Sequence, residues 1–317
     1  MKLNFKFLVL MILAIFIVSC AKNTETQKIE PTVSRYDKIP SSAVKMSPET
    51  DAAPPKSYSG DYKDPVPVSG KINSAGAEDS PFVMPDGNTL YFFFTPDVNV
   101  PVEKQVIDGV TGIYVSRKIN GEWQEPERVM LQNKGKIAGD GCEFVQGNMM
   151  LFCSVREGYT GIHWFTAELV NGIWKNWENA DFNPDYKVGE LHITSDGNEL
   201  YFHSDRSGGK GGLDIWVSKK VNGEWQEPEN AASVNTERDE GWPFVTGDGN
   251  ELWITKDYGL WRSKKVNGEW QEPELIISPL AGEASVDYEG NGNVYFTHHF
   301  FNDNKMIEAD IYMAERQ

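Results

Sequence analysis

One phrase recurs along this chain. Asn-Gly-x-Trp appears as Asn120-Gly121-Glu122-Trp123, Asn171-Gly172-Ile173-Trp174, Asn222-Gly223-Glu224-Trp225 and Asn267-Gly268-Glu269-Trp270. The tryptophans lie 51, 51 and 45 residues apart, a period that restricts the chain to a solenoid, a ring or an array of like units. What fills each period selects among these. Alternating runs such as Ile113-Tyr114-Val115-Ser116 and Ile215-Trp216-Val217-Ser218 precede the Asn-Gly pair, and both residues of that pair tolerate the positive φ of a type I′ hairpin turn. A second hairpin comes earlier in the period. Pro81-Phe82-Val83-Met84 and Leu90-Tyr91-Phe92-Phe93 flank Asp86-Gly87-Asn88, and the pattern returns around Asp196-Gly197-Asn198 and Asp248-Gly249-Asn250. Two hairpins per period make four strands, the content of one propeller blade. After the N-terminal apolar run no stretch of helical period and useful length follows, which argues against helical repeats.

The expected fold class is therefore all-β, a five-bladed β-propeller of four-stranded antiparallel blades. The blades start near Glu78, Asp140, Gly189, Asp239 and Gly282. The fifth runs through Val294-Tyr295-Phe296 and Asp310-Ile311-Tyr312-Met313 without an outer strand, and a segment of that type stands near residues 64 to 70, where Asp64-Pro65 through Asn73-Ser74 and Glu78-Asp79 reads like Glu227-Pro228 through Asn235-Thr236 and Asp239-Glu240. An N-terminal strand completing the C-terminal blade would close the ring and remove two open sheet edges.

These residues resemble a known group. Ser204-Asp205-Arg206-Ser207-Gly208-Gly209-Lys210-Gly211-Gly212-Leu213-Asp214-Ile215-Trp216, the Asp-Gly-Asn turns and Val234-Asn235-Thr236-Glu237-Arg238-Asp239-Glu240 look like the PD40 (WD40-like) repeats of TolB-like propellers, common in envelope proteins of the Bacteroidetes. The resemblance spans roughly residues 64 to 317, is strongest in blades three and four, and implies a fold and an envelope setting. It implies no chemistry, because propellers carry many unrelated functions.

The N-terminus reads as an address. Lys2 and Lys6 flank the start of an apolar run from Phe7 to Val18, and Ile17-Val18-Ser19-Cys20 fits a bacterial lipoprotein cleavage box. The expected organisation is a signal peptide over 1–19, a lipidated Cys20 with a flexible tether over 20–60, and the propeller over 61–317. The tether is rich in Lys, Thr, Ser, Pro and Glu and poor in large apolar groups, too little to fold by itself. The expected location is the bacterial cell envelope, at the outer membrane through the lipid anchor, on either its periplasmic or its exposed side. The formal charge of −17, about −19 once Lys2 and Lys6 are removed, excludes nucleic acid and anionic lipid surfaces as favourable partners.

Besides Cys20 the chain has Cys142 and Cys153, in the first hairpin of blade two. With a turn at Gly147-Asn148 they would be direct cross-strand neighbours. A disulfide suits an exported protein, whereas directly opposed strand positions strain the bond and favour a pair of buried thiols.

Every blade carries a carboxylate near the start of its innermost strand: Glu78 and Asp79, Asp140 and Glu143, Glu190, Asp239 and Glu240, and Glu283. Three functional readings follow. Asp79, Glu143 and Glu190 could serve as acid and base in glycoside hydrolysis; crowded carboxylates could bind calcium; or the acids form a docking surface for an envelope protein or a glycan, with Glu78, Asp79, Glu143, Glu190, Trp242 and Glu283 as contacts. Against these stands a structural role, in which Asp239 and Glu240 cap backbone N–H groups and pair with Arg156 and Arg206. Recurrence with the repeat favours structure, since a catalytic set breaks symmetry. His192 and His203 with Glu190 match no metal motif, no metal site and no cofactor is assigned, and most tryptophans sit at repeat positions where blade packing explains them. Trp242, beside Glu240, is the exception. Loops over 96–111 and 299–308 are irregular insertions on the same face. The reading is a lipid-anchored propeller that binds a protein or glycan through an acidic face without catalysis, with a polysaccharide-active hydrolase as the alternative.

Overall fold

Asn-Gly turns form where the sequence places them. Asn120, Asn171, Asn222 and Asn267 have φ between 52° and 54°, and each following glycine is also positive, as a type I′ turn requires. The structure is a computed structural model that describes residues 33–133, 135–182 and 187–317. The signal segment 1–19 and Cys20 lie outside the described residues.

Among the described residues the strands pair as five antiparallel meanders, the fifth meeting the first through a parallel bridge between Ala309 and Ala77. The first comprises Ala77–Val83, Thr89–Thr95, Gly112–Ile119 and Glu127–Arg128; the second, Ala138–Gln146, Met149–Arg156, His163–Val170 and Ile173–Asn179. Leu191–Ile193, Glu199–Ser204, Asp214–Val221 and Glu229–Asn230 form the third, and Gly241–Val245, Glu251–Lys256, Gly259–Val266 and Glu274–Ser278 the fourth. Ala281–Val286, Val294–Asn302 and Lys305–Ala314 make up the fifth, to which the N-terminal strand Val66–Pro67 adds through Val66 opposite Met313 and Pro67 opposite Tyr312. Only two short helices, Arg35–Lys38 and Val102–Gln105, interrupt this pattern among the described residues.

Repeat tryptophans pack one meander on the next. Trp123 meets Tyr295 edge-on at 6.3 Å, Trp174 meets Tyr91 at 6.4 Å and Trp270 meets Tyr201 at 6.0 Å. Each pair joins a meander to its predecessor, and the first of them joins the first meander to the fifth. A lysine ammonium lies over three of the four repeat tryptophans, Lys118 over Trp123, Lys220 over Trp225 and Lys265 over Trp270, where the face of the indole attracts its charge.

Three expectations need correction. First, the segment 34–60 is not a free tether: the compact unit begins at Ser34. Arg35 is buried against Glu78 at 2.9 Å, Lys45 pairs with Glu308 and Asp310, Asp51 meets His298 at 2.9 Å, and Lys56–Ser57 adds to the outer edge of the fourth meander. Composition missed this because the segment is held chiefly by polar pairs, with only Ile39, Met46 and Pro55 adding apolar contact. Second, 299–308 is no irregular loop: two strands extend to a tight turn at Asp303-Asn304. Third, Cys142 and Cys153 are not direct partners. Cys153 faces Gly141, and the ladder slips by one residue between Gly141 and Phe144, which places Cys142 in a bulge. That offset removes the objection to the bond, and the two cysteines are joined as a disulfide with Cα atoms 5.4 Å apart.

Candidate functional site

The bulge between the first two strands of the second meander is one of four at that place among the described residues. The register also slips between Asp79 and Phe82, between Gly241 and Phe244, and between Gly282 and Ser285. Each time the extra residue has positive φ: Ser80 at 49°, Cys142 at 54°, Trp242 at 51° and Glu283 at 60°. Such a conformation costs a non-glycine residue about 1–3 kcal/mol and is typical of functional positions. In the third meander the ladder begins only at Leu191, with Glu190 just ahead of it. Bulges bend the strand and re-aim its side chains. Here the re-aimed residues converge: Ser80, Cys142, Glu143, Glu190, Trp242 and Glu283, contributed by all five meanders, line one cavity of about 50 Å³.

Its floor is aromatic. The His192 ring lies 4.8 Å from Phe144, 4.3 Å from Phe244 and 6.0 Å from Phe82. Burial among these rings pushes the imidazole down to about 3, so His192 is neutral. Around the cavity the acids are shifted the other way. Burial pushes Glu190 up to about 8, helped by the charge of Asp79 and opposed by a hydrogen bond from Trp242. Glu283 is raised well above the carboxylate range by burial and by Asp79 and Glu190, although the Ser80 hydroxyl donates to it at 2.5 Å. Glu143 is raised by burial first, then by Glu190 and Asp79. His203, held low at about 4 by burial, accepts at Nδ1 from the Trp242 backbone N–H at 3.1 Å and so fixes the bulge that carries the indole.

Beside this cavity lies a cleft of about 710 Å³ between the fourth and fifth meanders. Trp242 and Glu283 line both. The cleft adds Tyr258, Phe301 and His299 as ring surfaces, and Arg238, Asp239, Lys256 and Asp257 as charges. Tyr258 stands at a two-residue turn with Asp257, both at positive φ, and is exposed. Its ring meets His299 at 6.0 Å and Phe301 at 5.8 Å. An aromatic residue at positive φ in a tight turn is the signal in Lys256-Asp257-Tyr258-Gly259 that pattern reading passed over.

The remaining acids separate from this group. Glu78 and Glu240 are fully buried. Glu78 accepts from the Ser74 N–H at 2.9 Å and hydroxyl at 2.6 Å; Glu240 accepts from the Thr236 N–H at 2.9 Å and from its hydroxyl. The recurring Asn-Ser/Thr-x-x-x-Glu spacing is thus a loop clamp. Asp140 is buried against Arg156 at 2.5 Å, and Asp239 accepts the Leu213 N–H at 2.9 Å while lining the cleft. Arg156 lies 4.6 Å from the Trp177 ring, whereas Arg206 pairs with Glu227 and stacks on Trp216, so neither arginine reaches Asp239 or Glu240. Among the described residues no group of three His, Cys, Asp or Glu side chains is arranged to hold a metal ion.

No family model matches this chain and no curated protein matches it. Solved structures do. The endo-arabinase from Bacteroides thetaiotaomicron superposes with a TM-score of 0.50 and 15% identity, covering 78% of this chain and 95% of that one. Zg3597, a family 117 glycoside hydrolase of the marine bacterium Zobellia galactanivorans, reaches 0.50 with 10% identity over 83% and 90% of the two chains. The putative TolB from Agrobacterium tumefaciens gives 0.36 with 13% identity over 77% and 91%. At such identities likeness concerns the fold alone, and the first two place this nearly all-β chain among propeller-type structures.

Proposed function

We propose that this protein is a five-bladed β-propeller of the PD40 type, held in the cell envelope by a lipid on Cys20, that captures a glycan in the cleft between its fourth and fifth blades without transforming it. One observation carries the reading: the cleft sets Trp242, Tyr258 and Phe301 among Asp239, Asp257 and Glu283, flat apolar faces for sugar rings beside acceptors for hydroxyl groups. The axis argues against hydrolysis. Glu143, Glu190 and Glu283 surround about 50 Å³, whereas a glycosidase must fit a sugar ring between its two carboxyl groups.

Tyr258→Ala is expected to weaken binding to a polysaccharide panel about tenfold, or roughly 1.4 kcal/mol, with melting unchanged to within about 2 °C. Unaltered binding would remove the cleft from the function. The hydrolytic reading draws on Glu190, protonated at neutral pH as a general acid must be. Turnover of any polysaccharide by the wild type, abolished in a folded Glu190→Gln variant, would establish it instead.

Anchoring is tested separately. If the lipid on Cys20 is the anchor, Cys20→Ser is expected to move the protein from the membrane to the soluble fraction. Retention of the variant in the membrane fraction would refute the lipid anchor.

A further inference from the structure

We propose that the axial cavity is a pocket for a protonated primary amine, so that the ligand lying in the cleft presents an ammonium group to Glu143, Glu190 and Glu283. This rests on the cleft being the binding site. Buried acids elsewhere in the molecule have their partners: Glu78 has Arg35 and Ser74, Asp140 has Arg156, Glu240 has Thr236, and Glu308 and Asp310 share Lys45. Glu143 departs from this rule, and Glu190 and Glu283 meet only neutral donors, the Trp242 side chain and the Ser80 hydroxyl. Among the described residues lining the cavity none is Lys or Arg. Glu143 is only 6% exposed, and neither of its oxygens meets a hydrogen-bond partner on another residue. His192, equally buried, has Nδ1 without a partner at the same cavity. Polar groups buried in this way are rare and call for an explanation.

The chemistry of the site narrows the occupant. An ionised carboxylate only accepts, so what the two oxygens of Glu143 lack is a donor, and one carrying positive charge also stabilises the ionised form of its neighbours. A cavity of about 50 Å³ has room for one or two water-sized groups. An ammonium is compact and has three donors, whereas a guanidinium is broad and planar and a quaternary ammonium has no N–H to give. A divalent cation lacks a suitable ligand set among the described residues. Access runs past Trp242 and Glu283, which belong to cavity and cleft alike. A ligand whose body lies on Tyr258 and Phe301 therefore reaches the axis with its amine passing the Trp242 ring, a face that attracts cations. Burial favours the protonated forms of Glu190 and Glu283, and an arriving ammonium favours the ionised forms, so its binding releases protons to solvent.

An ammonium can come from an amino sugar or from a lysine side chain, and titration calorimetry on the full chain at neutral pH separates them with three probes: glucosamine trimer, N-acetylglucosamine trimer and Nα-acetyl-lysine amide. The glucosamine trimer is expected to bind at least about tenfold more tightly than its N-acetylated counterpart, and Glu143→Gln and Glu190→Gln, each near-isosteric, are expected to erase that preference. Should one variant fail to fold, the other carries the test. Equal binding of the two trimers, or a preference that survives in both folded variants, would overturn the ammonium pocket and leave glycan capture standing. Binding of the lysine amide with neither trimer would uphold the pocket and overturn glycan capture. No binding by any of the three would overturn the pocket.

Discussion

A chain lacking residues 61 to 72 is expected to melt at least about 15 °C below the parent, or not to fold. The segment supplies Val66–Pro67 as the outer strand of the fifth meander, and on either side of it the Lys63 N–H donates to Glu315 and the Val68 N–H to Ile311, both at 2.9 Å. Three of its side chains are core: Tyr62, edge-on to Trp253 at 5.8 Å, with Val68 and Ile72. Burying each contributes roughly 1.5–3 kcal/mol, and a domain of this size loses about 2–4 °C per kcal/mol. Asp61 goes too, taking a 2.5 Å partner from the buried Arg262. The exposed edge of Lys305–Ala314 would then be open to pairing with another chain, so the remaining protein should also aggregate on heating. Thermal unfolding followed by circular dichroism decides; a truncated chain melting within about 3 °C of the parent would show that the segment does not close the structure.

Arg156→Ala should have the next largest effect, about 3–5 kcal/mol, the range for stranding one partner of a buried ion pair. Asp140 would keep only the Ser154 hydroxyl at 2.6 Å, and the rings of Phe152, Phe165 and Trp177 would lose the guanidinium they enclose. Arg206→Ala is the control. It also removes a guanidinium from a tryptophan face, and its pair with Glu227 is largely exposed, where solvent screening limits an ion pair to about 1 kcal/mol. Urea titrations of both variants would measure the difference, and equal losses would contradict the distinction drawn between the two pairs.

The repeat made much of the architecture legible because hairpin signals are local: a turn type and a period of two suffice to place Asn120-Gly121 or Asp196-Gly197-Asn198 between strands. The site was legible only in its composition. Glu143, Glu190, Trp242 and Glu283 line one cavity with the charge of Asp79 near it, but pattern alone could not divide them from Glu78, Glu240 and Asp140, because that division depends on which donor each acid meets. Arg35 reaches Glu78 across 43 residues, and Lys45 reaches Glu308 across 263. No period marks such partners, and a polar segment that will be pinned by them looks the same in sequence as one that remains solvated. The bulges escaped for a different reason: one inserted residue leaves alternation on both sides intact and changes only the phase between them.

That change of phase has an evolutionary meaning. At each bulge the backbone is the constant, and the side chain it turns toward the shared cavity is Ser80, Cys142, Trp242 or Glu283. Hydroxyl, sulfur, indole and carboxyl thus occupy one address in four copies of the same unit. The backbone sets the address, and the side chain alone sets what stands there. Selectivity in such a molecule can be rewritten one residue at a time while the hairpins, the indole contacts between blades and the loop clamps are inherited unaltered.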